Sequence, residues 1–201
     1  MPAIVQLIPG SRPAEVTRVH ARDRTLLGSV FTERRTVVPF AELPGHVKLA
    51  FLAAEDASFY EHEGLDYLGM LRALAAKLRA GSTRQGASTI TQQVVKNLLL
   101  THERTYERKI KETILARRLE QELTKDEIFS LYLNCIYLGH GRYGVEEASR
   151  FYFGKKAKEL DLAEAPLLAG VVAAPERYTP RVAPDRALAR RRYVVDQMLE
   201  K

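Results

Sequence analysis

The sequence predicts a mainly α-helical domain that carries a short β element at its N-terminal end. From Pro44 onward, apolar residues recur every three or four positions, as they do on one face of a helix. Ser, Thr or Asp precedes several of these segments at the N-cap position, and Gly or Pro separates them. Upstream of Pro44, short β-branched runs flank a charged turn, which is typical of strands.

The bulk composition is that of one globular domain with a basic surface. The 201 residues fit a single domain, 1–201, whose segment 1–44 is a β-rich lead-in. A net charge of +6 favours anionic partners such as phosphate groups, nucleic acid or anionic lipid headgroups. Cys135 is the only cysteine, which excludes an internal disulfide and a cysteine-based metal site. Neither a signal peptide nor an apolar run long enough to cross a bilayer is found, so any membrane anchor is expected outside this chain.

The order of the elements follows from these signals. A hairpin is expected from strands 17–20 and 26–31, with an edge strand at 36–40. The expected helices span residues 46–54, 67–79, 89–99, 106–123, 124–139, 144–153, 161–173 and 184–200. Residues 80–83 are expected to form a loop after the second helix. The apolar positions expected along helix 106–123 are Ile110, Ile114, Ala116 and Leu119.

Two adjacent carboxylates close the first predicted helix. Glu55 lies at the end of an apolar segment, where burial and the negative end of the helix dipole both raise a carboxyl pKa. A carboxyl group tuned in this way can act as a general base or acid near neutral pH. The simpler interpretation of Glu55 and Asp56 is a solvated acidic pair at a helix end. His62 is interpreted as a hydrogen-bonding organiser of the same loop.

The helix predicted at 106–123 is dense in Lys and Arg. Arg108, Lys111 and Glu112 lie three or four residues apart and therefore share a face, with Lys109 about a quarter turn away. A solvated face of ion pairs is the usual interpretation of such a run. The alternative is a clamp for phosphate oxygens in which Glu112 binds a divalent cation.

The segment 86–93 offers hydroxyls and amides that suit a polyhydroxylated substrate. Gln92 and Lys96 are four residues apart, so one helix face would hold a sugar and a phosphate together. The sequence contains no Gly-rich nucleotide loop, no Ser-His-Asp order and no metal-type histidine cluster. Aromatic residues are not interleaved with the basic run, so a nucleic-acid motif is also missing.

Five segments, taken in order over about residues 17–200, resemble the peptidoglycan glycosyltransferase family, which includes the glycosyltransferase domains of class A penicillin-binding proteins and the monofunctional transglycosylases. The segments are Glu55-Asp56-x-x-Phe59-x-x-His62-x-Gly64, Gly86-Ala87-Ser88-Thr89-Ile90-Thr91-Gln92-Gln93, Arg108-Lys109-x-x-Glu112, Lys125-x-x-Ile128-x-x-x-Tyr132-x-Asn134 and Arg190-Arg191-x-x-Val194-Val195. Cys135, Ala87 and Val195 depart from the residues that the family more commonly has, and none of them replaces a catalytic group.

The resemblance implies a fold similar to phage lysozyme, with a helical head lobe and a smaller membrane-facing jaw at about residues 65–100. It implies that lipid II is polymerised into β-1,4-linked glycan strands with inversion and release of undecaprenyl pyrophosphate. It places the protein at the external, periplasmic face of the bacterial cytoplasmic membrane. The implied partners are lipid II, the growing glycan strand, the membrane surface and other cell-wall synthesis proteins, without nucleic acid. Moenomycin, a phosphoglycolipid mimic of the donor, is expected to bind across the same cleft.

The resemblance also assigns roles to individual residues. Glu55 is the general base, and Glu112 is the second catalytic carboxylate. The pyrophosphate is held by Lys96, Arg108 and Lys109, with Mg²⁺ or Mn²⁺ at Glu112 as an option and no organic cofactor. The other substrate contacts fall to Arg84, Ser88, Thr89, Gln92 and Gln93. The supporting residues are Asp56, His62 and Asn134, and the jaw leucines Leu68 and Leu71 would dip into the lipid headgroups.

Two alternatives remain open from the sequence. A lysozyme-like hydrolase or lytic transglycosylase would share the fold and Glu55, but it has no pyrophosphate to release and no need of the Arg108-Lys109-x-x-Glu112 segment. A non-enzymatic basic module that binds anionic lipid or nucleic acid would retain its function after Glu55→Gln.

Overall fold

Eight helices and two small pairs of strands form the part of the chain that the computed structural model describes, namely residues 17–20, 26–30, 34–67, 69, 71, 88–100 and 105–200. The helices are Gly45–Glu55 (α1), Ile90–Leu99 (α2), Tyr106–Glu122 (α3), Lys125–Cys135 (α4), Val145–Phe153 (α5), Glu164–Val171 (α6), Pro175–Tyr178 (α7) and Pro184–Leu199 (α8). The strands are Thr17–His20 (β1), Leu26–Val30 (β2), Arg34–Arg35 (β3) and Arg142–Tyr143 (β4). The predicted mainly α class with an N-terminal β element is confirmed.

The core lies between two groups of helices. Helices α6 and α8 pack against α1 on one side, while α2 packs against α3 and α4 on the other. Val47, Ala50, Phe51 and Ala54 recur at helical spacing on α1 and are almost fully buried. The ring of Phe129 on α4 lies 5.7 Å from the ring of Phe59, which follows α1, and so joins the two groups. The active-site candidates at the end of α1 and the start of α2 therefore rest on packed core.

Local capping signals account for where several helices begin. Thr89 and Gln92 form a reciprocal capping box at the start of α2, and Thr124 and Glu127 form another at the start of α4. Pro184 occupies the first turn of α8, where its missing N–H costs no helical bond. The predicted starts of these helices are confirmed. The short helix α7, opened by Pro175, was not predicted, and α6 ends at residue 171 rather than 173.

The hairpin β1–β2 is antiparallel as predicted, but the edge strand expected at 36–40 is wrong. The strand is instead Arg34–Arg35, which pairs in parallel with β4. The backbone of Val38 is bound by a side chain: its N–H donates to Asn134 Oδ1 at 2.8 Å, and its C=O accepts from Asn134 Nδ2 at 3.1 Å. Because Asn134 takes both groups, residue 38 does not join a strand ladder.

Helix α4 ends at Cys135, four residues earlier than predicted. The chain then turns back on itself, with Leu138 N–H donating to Arg142 O and Gly144 N–H donating to Ile136 O. Gly144 has φ +79°, and a Cβ there would lie 2.8 Å from the carbonyl oxygen of Asn134, so the turn requires glycine. Cys135 is 2% exposed at this junction.

The predicted burial of helix 106–123 is partly wrong. Ala116 and Leu119 are buried, but Ile110 is 61% exposed and Ile114 is 51% exposed. Glu112 lies on the buried side instead, at 2% exposure. The apolar positions of the sequence therefore did not mark the face that packs inward.

Most of the helix predicted at 67–79, the loop 80–83 and Leu68 lie outside the described residues. Residues 67, 69 and 71 are helical, and the Asp66 carboxylate accepts from Gly69 N–H at 2.7 Å, as an N-cap residue does. Leu71 is 63% exposed, so it is a surface residue rather than part of the core. Among the helices that the structure describes, none is long and apolar enough to cross a membrane.

We expect Asn134→Ala to destabilise the fold by about 1–3 kcal/mol, because the substitution leaves a buried backbone donor and acceptor of Val38 without partners. The free energy of unfolding from urea denaturation measures this loss. Lys158→Ala is the control, since Lys158 pairs with Glu42 at 4.0 Å on the surface and should change stability by less than about 1 kcal/mol. Equal stability of Asn134→Ala and the wild type would contradict the structural role of Asn134.

Candidate active site

Glu55 is the last residue of α1 and is held by an amide from another helix. The chain leaves the helix at Asp56, whose φ is −157°. The Glu55 side chain is partly exposed, and its Oε2 accepts a hydrogen bond from Gln93 Nε2 on α2 at 2.8 Å. The carboxylate therefore has a fixed orientation and retains access to the surface.

The environment of Glu55 raises its pKa. Burial is the largest cause, and the Asp56 carboxylate adds to it. The hydrogen bond from Gln93 and the positive charge of Arg190 act in the opposite direction but do not cancel the effect of burial. A carboxyl group with a raised pKa is a better proton acceptor near neutral pH, as the sequence predicted for this residue.

Asp56 lies beside Glu55 but is built into the structure differently. It is 6% exposed, and its Oδ2 accepts from the backbone N–H of Ile90 at 3.0 Å. His62 Nε2 lies 3.1 Å from both of its carboxylate oxygens. Asp56 and His62 thus join the end of α1 to the start of α2.

A buried carboxylate on α3 organises two cations. Glu112 Oε2 accepts from Arg108 Nη1 at 2.8 Å, and Glu112 Oε1 accepts from Lys109 Nζ. Lys109 Nζ also lies 3.3 Å from Ser88 Oγ, next to the start of α2. We call Arg108, Lys109, Glu112 and Ser88 the α3 cluster. Because both cations keep further N–H donors, the cluster can present positive charge to a phosphate.

The prediction that Arg108, Lys111 and Glu112 share one face of the helix is wrong for Lys111. Lys111 is exposed and pairs with Glu107 four residues earlier, also in solvent. Lys109 takes the inward position beside Glu112 instead.

A metal site built from protein ligands alone is not found among the described residues. Both oxygens of Glu112 accept from cations, and no group of three or more His, Cys, Asp or Glu side chains in the described ranges could hold a metal.

The other predicted contacts divide between the surface and the interior. Ser88 belongs to the α3 cluster, Gln93 holds Glu55, and Lys96 is exposed on α2. Thr89 and Gln92 are buried at 4% and 3% exposure, and their polar groups form the cap of α2. Gln92 therefore does not share an exposed face with Lys96. Arg84 lies outside the described residues.

Sequence reasoning assigned no role to three side chains near Glu55. Arg190 and Tyr193 approach it from α8, with the guanidinium carbon of Arg190 4.3 Å from the Tyr193 ring centre. Tyr132 approaches from α4 and is fully buried. Arg190 and Tyr132 each belong to one of the motifs quoted above, and that membership was the only sequence signal for them. Their electrostatic interaction with Glu55 acts between helices that are distant in sequence, so it leaves no periodic pattern.

The chain is similar to known proteins over most of its length. A family model described as Transglycosylase matches residues 23–199. The chain belongs to the transglycosylase family. This transglycosylase domain is 46% identical to penicillin-binding protein 1A of Aquifex aeolicus, over 98% of the chain and 27% of that protein. It is 46% identical to penicillin-binding protein 1A of Escherichia coli, over 92% of the chain and 22% of that protein.

A solved structure shows the same relationship. The crystal structure of penicillin-binding protein 1A from Haemophilus influenzae matches the transglycosylase domain with a TM-score of 0.51 and 26% identity, over 94% of this chain and 18% of that one. The chain thus spans about a quarter of the length of the curated relatives described above. The resemblance to the glycosyltransferase domain of class A penicillin-binding proteins is confirmed.

We expect Glu55→Gln to raise the melting temperature at neutral pH. Since the folded state raises the pKa of Glu55, ionisation of this group opposes folding as the pH rises from its ordinary value of about 4.5 through the folded value. The gain should vanish below about pH 4.5, where the carboxyl is neutral in both the folded and the unfolded state. Melting temperatures across this range provide the measurement.

Glu107→Gln is the control for that series. Glu107 is exposed, and its hydrogen bond with Lys111 lowers its pKa, so its removal should give no gain at neutral pH. A gain for Glu55→Gln that is the same at every pH would contradict burial of a titrating carboxyl.

Proposed function

We propose that this domain is a peptidoglycan glycosyltransferase that polymerises lipid II into β-1,4-linked glycan strands. Membership of the transglycosylase family and the similarity to penicillin-binding proteins 1A support the class of reaction. The mechanism is supported by one observation: Glu55, the proposed base, and the cations of the α3 cluster lie on either side of the first turn of α2. Gln93 contacts the base, and Ser88 contacts the cations.

The spacing along α2 supports a substrate that reaches both groups. Ser88 and Gln93 are five residues apart, which corresponds to on the order of 10 Å along the chain at the start of a helix. A hexose ring joined to a pyrophosphate extends over a comparable length. The sugar end would lie towards Glu55 and the phosphate end towards Arg108 and Lys109.

The proposed reaction is a displacement at the anomeric carbon. Glu55 accepts the proton of the acceptor 4-hydroxyl as that oxygen forms a bond to the anomeric carbon of the donor. The bond from this carbon to the pyrophosphate oxygen breaks, and the pyrophosphate leaves with the electron pair. Because attack and departure occur on opposite faces, the configuration inverts.

The cations act on the leaving group. Negative charge grows on the pyrophosphate as its bond breaks, and Arg108 and Lys109 are held ready for it by Glu112. Lys96 is exposed and is proposed to add a third positive charge. In this scheme Glu112 acts as a positioning residue for the cations, and the α3 cluster distinguishes the transferase from a hydrolase, which releases no pyrophosphate.

The setting proposed for the reaction is the external face of the cytoplasmic membrane, where lipid II and the growing strand are the partners. Apolar side chains at 50% exposure or more on the surface of the described residues support contact with lipid. They include Tyr67, Leu71, Tyr106, Ile110 and Ile114. The net charge of +6 is suited to anionic headgroups and pyrophosphate. Contacts with other cell-wall synthesis proteins remain part of the proposal.

We expect Glu55→Gln to lower the rate of lipid II polymerisation by about 10²–10⁴-fold, because the amide cannot accept the acceptor proton. Gel analysis of glycan strands made from labelled lipid II measures the rate, and binding of lipid II to the variant should persist. Glu107→Gln, on the exposed side of α3, should retain wild-type activity. Wild-type polymerisation by Glu55→Gln would exclude Glu55 as the base.

The two cations at positions 108 and 111 give a matched test on one helix. Arg108→Ala should lower polymerisation by about 10²-fold, because it removes a donor from the charge that develops on the leaving group. Lys111→Ala should leave the rate unchanged, because Lys111 pairs with Glu107 in solvent. Circular dichroism checks that both variants fold, and equal rates for the two would argue against the α3 cluster as the pyrophosphate site.

A further inference from the structure

The hydroxyl of Tyr132 is enclosed in the protein and has no hydrogen-bond partner within the described part of the chain. Tyr132 lies on α4 and is 0% exposed. A buried hydroxyl without a partner costs about 1–3 kcal/mol, so such groups are rare and call for a physical reason. A phenylalanine would fill the same space without this cost.

The surroundings of Tyr132 are apolar around the ring and acidic near the hydroxyl. Its ring stacks on Phe129, with the ring centres 6.1 Å apart. Burial raises the pKa of the phenol well above its ordinary value, and the negative charges of Glu55, Cys135 and Asp56 add to the rise. The phenol therefore stays protonated and is always a donor. Helix α4 also packs against α2, which carries the Gln93 that holds Glu55.

The other charged and titratable groups that face Glu55 already have contacts. From α8, Arg190 lies over the ring of Tyr193. On its own segment, Asp56 accepts from His62 and from the backbone of Ile90. Tyr132 differs from these groups because the one polar atom of its side chain has no hydrogen-bond partner in the described part of the chain.

We propose that Tyr132 is a positioning residue for the base: its hydroxyl donates a hydrogen bond to one enclosed water molecule, which in turn donates to the ionised Glu55 carboxylate. The proposal rests on the role of Glu55 given above. A donor on the buried side stabilises the ionised form and fixes the carboxylate while Gln93 holds Oε2. The remaining lone pairs then point towards the open side, where the acceptor hydroxyl arrives.

A purely structural role for Tyr132 leads to different results. If the hydroxyl only fills space, Tyr132→Phe should leave the titration of Glu55 unchanged, since the ring packing is retained. If the hydroxyl holds the carboxylate, its loss should raise the pKa of Glu55, because the ionised form loses a donor.

The titration of Glu55 can be followed without any enzymatic assay. Protein labelled with ¹³C at the glutamate carboxyl carbons gives one NMR signal per glutamate, and the signal missing in Glu55→Gln identifies residue 55. We expect its midpoint to move to higher pH in Tyr132→Phe. Tyr152→Phe is the matched control, because the Tyr152 hydroxyl donates to the carbonyl of Leu138 instead, and its midpoint should equal that of the wild type. An unmoved midpoint in Tyr132→Phe overturns the proposal.

A second substitution tests the same hydrogen bond in the opposite direction. 3-Fluorotyrosine placed at position 132 keeps the hydroxyl and makes it a stronger donor, so the Glu55 midpoint should move to lower pH. Shifts of opposite sign in the two proteins support the proposal, and shifts of the same sign overturn it. This pair remains informative if Tyr132→Phe alone changes the packing.

Measurements of lipid II polymerisation distinguish the proposal for Tyr132 from the assignment of Glu55 as the base. In Tyr132→Phe the acidic limb of the polymerisation rate should move to higher pH, with the rate recovering at alkaline pH. If Glu55→Gln polymerises lipid II at the wild-type rate, the base assignment fails, whereas the NMR midpoints still report on the contact. If Glu55→Gln is inactive and both the midpoint and the acidic limb of Tyr132→Phe are unmoved, the Tyr132 proposal alone fails.

Discussion

The geometry of the site depends on the carboxylate of Asp56. It binds the N–H of Ile90 in the first turn of α2 and the ring of His62 in the loop that follows α1. Hydrogen bonds to a buried charge contribute about 1.5–3 kcal/mol each, so this junction is a strong one. It fixes the start of α2 against the end of α1, and that placement brings Gln93 within 2.8 Å of Glu55. Glu55 is therefore positioned with the help of a neighbouring carboxylate whose own two oxygens already have hydrogen-bond partners.

Three carboxylates in the site differ in their environment rather than in their chemistry. Asp56 and Glu112 are buried at 6% and 2% exposure, and their oxygens accept hydrogen bonds from a backbone N–H and from an arginine respectively. Glu55 receives one amide donor from Gln93 and lies in an environment whose main effect is to disfavour ionisation. The surroundings of Glu55 thus hold its pKa above the ordinary value.

Features encoded within a few residues could be predicted from the sequence. The caps at Thr89 and Thr124 and the position of Glu55 at a helix end are local, and the structure agrees with them. The edge strand was wrong because Val38 is bound by Asn134, 96 residues away. The predicted burial of Ile110 and Ile114 on α3 was wrong, and an ion-paired Glu112 lies on the inner face together with Ala116 and Leu119.

The sequence motifs named the residue types of the candidate site but not the contacts between them. The quoted motifs contained Glu55, Gln93, Arg108, Lys109 and Glu112. No periodicity shows that Lys109 rather than Lys111 turns inward, since both lie within one turn of Glu112. Likewise the approach of Arg190 and Tyr132 to Glu55 depends on packing between helices that are far apart in the chain.

The burial of Cys135 makes this domain convenient for site-specific spectroscopy. It is the only cysteine of the sequence, and at 2% exposure its thiol is shielded from maleimide reagents. A thiol introduced at a surface position such as Glu107 would therefore be the one available for a fluorophore or spin label, with the native background left intact. Two such thiols would allow a distance across the helical core to be followed on a protein that needs no prior removal of cysteines.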